Sequence, residues 1–180
     1  MLMQGKKIGI NLPFVRLKET LLLQQINKLL TQGAEILILP WEKTYAEENA
    51  IITSKAFTPQ LVNKNFYELT SLLDILVFIS PSEKLLKYLA SKEVNLLTKM
   101  IPIVIYIEYE LRGEYSPLKH LSNLLQQKNI YFVPFSTAYH KKESREIVNL
   151  CSRADLLPNT CSEALDHRQI KPVTWEDHFF

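Results

Sequence analysis

Glycine is scarce in this chain: four residues among 180, against about 7% in average usage. Loops that hold a phosphate on bare backbone N–H groups rely on glycine, so few places could form one. Cysteine is scarcer still. Cys151 and Cys161 show no CxxC spacing and no neighbouring histidine pair, which argues against a disulfide framework and a zinc site. Two idle thiols in a reducing cytoplasm are expected. An excess of one charge is also missing: 21 Lys and Arg stand against 19 Asp and Glu, a net charge of +2. A nucleic-acid binder would gather its basic residues into a patch or stripe, so no nucleic-acid partner is expected. The longest apolar run, residues 101–107, falls far short of the roughly 18 residues that a membrane span needs. The first seven residues lack the apolar segment of a signal peptide.

What is present fits a folded protein. Hydrophobic residues make up 47% and charged residues 22% of the chain, close to globular averages. A length of 180 residues suits a single domain, 1–180, with a polar and aromatic tail over 171–180. Such a chain buries about 70% of its unfolded surface and needs no metal or disulfide staple.

Short apolar runs alternate with helical stretches. Residues 7–12 predict a first strand stopped by Pro13. Leu22, Leu23, Ile26, Leu29 and Leu30 fall at helical spacing over 19–32, and Gly33 ends that helix. Residues 34–39 predict the second strand, giving the crossover length of a parallel pair. The pattern repeats with strands over 74–79, 101–107 and 129–133. Their near-continuous apolar character suits a parallel sheet covered on both faces. Helices are expected after Ser80, read as an N-cap with Pro81 at the first helical position, over 118–125, and over 143–154 and 161–169. Residues 41–60 read as a loop or lid. The expected fold is α/β: a three-layer, Rossmann-like, doubly wound and mostly parallel sheet.

In such a sheet the ligand crevice lies beyond the C-terminal ends of the strands, at the topological switch point. That rule selects residues 11–16, 40–45, 80–84, 108–114 and 134–140.

Two segments then carry a resemblance. Lys128-Asn129-Ile130-Tyr131-Phe132-Val133-Pro134-Phe135 is followed by Arg153-Ala154-Asp155-Leu156-Leu157-Pro158-Asn159-Thr160 and Glu163-Ala164-Leu165. This block resembles the C-terminal part of the dipicolinate synthase B-subunit family, with its KNIFFIPF-like strand and MDLLPQTIEKAL-like helix start. Gly5-Lys6-Lys7-Ile8-Gly9-Ile10 and Gly33-Ala34-Glu35-Ile36 fit the same family. The resemblance implies a flavoprotein-type fold shared with phosphopantothenoylcysteine decarboxylase, and FMN as the possible cofactor. It also implies a pyridine-nucleotide-binding partner, the dipicolinate synthase A-subunit, and oxidation of dihydrodipicolinate to dipicolinate during sporulation.

Set against that family, the candidate cofactor residues are Asn11, Pro13, Phe14, Arg16, Ser80, Pro81, Ser82, Glu108, Pro134 and Phe135. The family's first loop is a G-x-T-G-S-H-like run. Here Asn11-Leu12-Pro13-Phe14-Val15-Arg16 replaces it: proline removes a donor, and Phe14 and Val15 do not readily take the positive φ that glycine permits. FMN binding is therefore expected to be weak or absent. Ser80 and Ser82 keep hydroxyls after the third strand, while Glu83 adds a negative charge; the same residues also read as an ordinary cap and acidic first turn. Glu108, Tyr109 and Glu110 could serve acid–base chemistry or form a solvated edge. No catalytic residue is assigned.

His140 and Lys141, in a loop after the last strand, are the candidate substrate-binding residues. With Lys142 and Arg145 they could attract a dicarboxylate, or form an exposed face. His167 and Arg168 suit a helix C-terminus, where the dipole favours cations. The aromatic tail suits docking on a neighbouring protomer, consistent with a homo-oligomer, or a frayed end. The alternative to an enzyme component is an assembly or regulatory protein that has lost flavin binding.

Overall fold

A computed structural model describes residues 3–11, 20–39, 71–91, 101–112, 116–142 and 145–176. Five parallel strands form the central sheet in the order β2-β1-β3-β4-β6. They are β1 (Lys7–Asn11), β2 (Glu35–Leu39), β3 (Ile75–Ile79), β4 (Ile103–Tyr106) and β6 (Ile130–Phe132). All five residues of β3 and all four of β4 are buried. These strands lie inside the sheet with helices on both faces, which explains their unbroken apolar sequence.

Alternate side chains serve opposite faces, as the period of two in a strand requires. Ile8, Ile10, Ile75, Val77, Val104 and Tyr106 pack with α1 (Thr20–Thr31) and α4 (Leu157–Leu165). Leu76, Phe78, Ile103, Ile105 and Phe132 pack with α2 (Glu83–Leu89) and α3 (Ser116–Leu124). The α/β, doubly wound expectation therefore holds. Gly33 ends α1 as expected: its φ of +91° is one that a side chain would strain.

A second sheet was not foreseen. Its order is β5-β8-β7-β9, made of β5 (Glu108–Arg112), β8 (Arg145–Ser152), β7 (Phe135–Lys142) and β9 (Thr174–Glu176). The pairs β5/β8 and β7/β8 are antiparallel, and β7/β9 is parallel. Four expectations change as a result. The single strand over 101–107 becomes β4, and the chain then passes after Ile107 into β5. The loop holding His140 and Lys141 is part of β7, where they stand across from Ile147 and Glu146. Residues 174–176 of the tail pair with residues 135–137 of the same chain.

The fourth change concerns the helix expected over 143–154, which is instead the strand β8. Ile147, Leu150, Cys151 and Ala154 fit a helical stripe, yet the burial of Leu150, exposure of Cys151 and burial of Ser152 have the period of a strand. Both periods fit the sequence; cross-strand partners on both sides decide between them. The last helix also starts earlier than expected, at Leu157, with Pro158 in its first turn.

Candidate functional site

The switch point lies between β1 and β3: from β1 the chain passes to β2 on one side, and β3 leads on to β4 on the other. Asn11 closes β1 and is buried, and its Nδ2 donates to Leu39 O of β2 at 3.1 Å. That bond draws the ends of β1 and β2 together. Pro13, Phe14 and Arg16 lie outside the described residues, as does the segment 41–60.

Across the switch point the chain turns sharply at Ser80, whose φ is +44°. A non-glycine residue in the left-handed region is strained by about 1–2 kcal/mol. Neighbours lock the turn. Ser80 N donates to Tyr106 O at 2.8 Å, and the Tyr109 hydroxyl donates to Pro81 O. Ser82, rather than Ser80, caps α2: its Oγ accepts from Leu85 N at 3.3 Å. The cap moves two residues along because the turn at Ser80 must finish before the helix starts. Ser80 Oγ itself is buried and has no hydrogen-bond partner among the described residues.

Beside this turn the two sheets join. Ser152, buried at the end of β8, accepts from Ile107 N at 2.8 Å and donates to Val133 O at 3.2 Å through its Oγ. Its own N–H donates to Ile107 O at 2.7 Å. One side chain thus ties both places where the chain leaves the central sheet for the second one. Pro134 O accepts from Arg153 N and Phe135 N donates to Val173 O, both at 2.9 Å. The Phe135 ring lies 6.1 Å from that of Phe132, inside the core. These two candidates are thus engaged in the junction.

Glu108 opens β5, and its charge acts on Tyr106. Burial, with help from Glu108 and Cys151, pushes the Tyr106 hydroxyl well above the ordinary tyrosine range. Burial alone does the same for Tyr109. Both hydroxyls therefore stay protonated through neutral pH. Glu108, Cys151 and Ser136 form one cross-strand row in the second sheet.

The structure therefore brings together Asn11, Ser80, Pro81, Ser82 and Glu108 at the C-terminal crest of the sheet. His140 and Lys141 belong to the β7–β8 hairpin that leaves this crest. Tyr106 and Ser152 were missed from sequence. Tyr106 is concealed within an apolar strand, and Ser152 within a run read as a helix.

A flavin phosphate fits this turn poorly. Ser80 N is committed to Tyr106 O, Pro81 has no N–H, and Leu85 N is held by Ser82 Oγ. Glu83 adds a carboxylate at the first turn of α2. What the turn does present is the buried Ser80 hydroxyl, which has no hydrogen-bond partner among the described residues. Among the described residues, no group of three or more His, Cys, Asp or Glu could hold a metal ion. No described helix is long and apolar enough to cross a membrane.

No family model matches the chain. Over 59 residues it is 36% identical to the dipicolinate synthase B-subunit of Bacillus subtilis (strain 168), a match spanning 33% of this chain and 28% of that protein. The crystal structure of the dipicolinate synthase B-subunit from Bacillus halodurans C is similar with a TM-score of 0.68 and 23% identity, over 98% of this chain and 100% of that one. The FMN-dependent cysteine decarboxylase SpaF is similar with a TM-score of 0.52 and 13% identity, over 91% and 99% of the two chains. The resemblance to the dipicolinate synthase B-subunit and the flavoprotein-type α/β fold both stand.

Proposed function

We propose that this chain acts as a component of the dipicolinate synthase B-subunit type. In this reading it works with an A-subunit in the cytoplasm, as a homo-oligomer, during sporulation. Its crest holds dihydrodipicolinate while that molecule is oxidised to the aromatic pyridine dicarboxylate. The observation that carries the reading is Ser80: a strained, buried residue at the switch point whose hydroxyl has no partner among the described residues. Buried polar groups are nearly always paired, and strain of this kind gathers at ligand sites. A ligand atom at Ser80 Oγ accounts for both features.

The roles divide by chemistry. Ser80 Oγ meets a ring or carboxylate atom. Tyr109 fixes the turn through Pro81 O. His140 and Lys141 on β7 attract the substrate's carboxylates. Oxidation moves a hydride, two electrons with one proton, from the substrate to the oxidised pyridine nucleotide that the A-subunit supplies in the implied complex, and the second proton passes to solvent. FMN is bound weakly or not at all, given Pro13 and Phe14 in the first loop and the committed donors at the β3 turn. That loop also supports a second reading, a non-catalytic assembly or regulatory component.

The test joins a blue-region absorbance spectrum, capture of the A-subunit, and calorimetric titration with dipicolinate. A colourless protein that captures the A-subunit and binds dipicolinate, with binding reduced roughly tenfold or more in Ser80→Ala, is the expected result; loss of one hydrogen bond to a charged group is of this size. A yellow protein with stoichiometric flavin overturns the view of the first loop. Capture of the A-subunit without dipicolinate binding selects the assembly reading. Failure of both capture and binding overturns the assignment.

A further inference from the structure

An edge strand offers unpaired backbone groups to any second strand, and proteins usually block it. On the central sheet the β6 edge is blocked: Phe132 N donates to Gln169 Oε1 at 2.7 Å, and Gln169 Nε2 donates to Phe132 O at 2.8 Å. One carboxamide stands in for a neighbouring strand. The second sheet ends differently. β5 is its edge, and among the described residues no strand pairs with its outer side.

The register decides which backbone groups of β5 face outward. Ile107 stands across from Ser152, in line with the β5/β8 pairing, and Ser152 N donates to Ile107 O. Hydrogen-bonded positions alternate along an antiparallel pair. Tyr109 and Leu111 therefore direct their N–H and C=O groups towards β8, and Glu108, Glu110 and Arg112 direct theirs away from it. The run Glu110-Leu111-Arg112 is self-complementary when set against itself in the opposite direction. Glu110 then falls opposite Arg112 twice, at hydrogen-bonded positions, and Leu111 falls opposite Leu111 at the closer, non-hydrogen-bonded one. Glu110 is exposed, and Leu111 belongs to the same core cluster as Phe135 and Leu150, so this pairing continues that core across the joint. A carboxylate has about four acceptor sites, so contacts that Glu110 makes within its own chain leave room for a further cation. A shift of the register by two residues would set Glu110 against Glu110, and like charges directly opposite each other disfavour it.

We propose that β5 pairs antiparallel with β5 of a second copy of this chain, in the register that sets Glu110 of each copy opposite Arg112 of the other. The two second sheets, each of four strands, then join into one across a two-fold axis, the symmetry most frequent among oligomers. The joint gives a surface to the homo-oligomer named in the proposed function and rests on that part of the reading alone. Dipicolinate titration and A-subunit capture test the rest separately.

The test is sedimentation equilibrium of the full chain and three charge variants. The original chain should dimerise. Glu110→Arg sets cation against cation at both pairs, and Arg112→Glu sets anion against anion. Each should weaken the dimer about tenfold or more, because two opposite-charge pairs become two like-charge ones. The double variant, Glu110→Arg with Arg112→Glu, restores both pairs and should dimerise within about threefold of the original chain. Its dimerisation also shows that the fold tolerates both changes. A chain that stays monomeric, single variants that dimerise as tightly as the original, or a double variant that stays apart would each overturn the proposal.

Discussion

The crest above β3 and the rim below β6 sit at opposite ends of one sheet and are held by different means. At the crest the backbone does the holding: Ser80 N, Pro81 O, Ile107 N and O, and Val133 O all take part. At the rim, backbone bonds such as Ile103 N to Asn129 O are joined by contacts between side chains, among Tyr131, Asn129 and His167. Main-chain bonds inside a packed core fix geometry tightly, whereas partly exposed side-chain bonds contribute less and yield more easily. The crest is therefore the more firmly fixed of the two regions, and the rim the more adjustable.

The largest test of this contrast is Ser152→Ala. It leaves Ile107 N–H buried without its partner and removes the bond to Val133 O, costing about 2–3 kcal/mol. Urea unfolding should show a lowered midpoint; a loss below about 0.5 kcal/mol would mean that the junction of the two sheets is not fixed there. Alkaline pH comes next. Burial keeps the Tyr106 and Tyr109 protons on in the folded chain, while an unfolded tyrosine loses its proton near pH 10. The contribution is complete below about pH 10 and is lost as pH rises above it. Tyr109→Phe should flatten that alkaline decline, at a cost of about 1 kcal/mol at neutral pH from the unpaired Pro81 O. An unchanged slope in the variant would count against a buried Tyr109.

A smaller effect of opposite sign is expected for Ser80→Gly. Relief of the left-handed backbone and removal of the unpaired hydroxyl should stabilise the protein by about 1 kcal/mol, while weakening binding at the crest. Destabilisation in thermal melts would show that the strain is not real. The smallest effect belongs to the sheet's lower edge. Burial raises the Asp74 carboxyl, but the Lys7 N–H and Lys6 ammonium outweigh it and hold it below the ordinary range. Its contribution is present above about pH 4 and lost as pH falls through the lowered value. The Lys6–Asp74 pair is partly exposed, so solvent screening limits this to about 0.5 kcal/mol. Asp74→Asn should remove that part of the acid dependence; an unchanged acid midpoint would refute it.

These residues also show what sequence patterns can carry. Strands such as Ile75–Ile79 and the stop at Gly33 could be read directly, because burial on both faces and a required positive φ each leave a local signature. Asn11 and Ser80 could be located by topology alone, since a doubly wound sheet has its crevice at the switch point. Ser152 and Tyr106 could not. Their roles depend on a junction between segments distant in the chain: Ile107 and Ser152, joined there, are separated by 45 residues.

Residue order alone settles the alternation of helix and parallel strand, the apolar set that fills both faces, and the composition of the opening loop. Those properties follow from periodicity and residue type, which act locally. Long-range packing settles that residues 145–152 are a strand, that His140 and Lys141 ride on a hairpin, and that Ser80 is held in a left-handed turn. Pairing partners and the lock on the Ser80 turn are imposed by distant neighbours, and a stretch that satisfies two periods at once adopts the one its surroundings can hydrogen-bond.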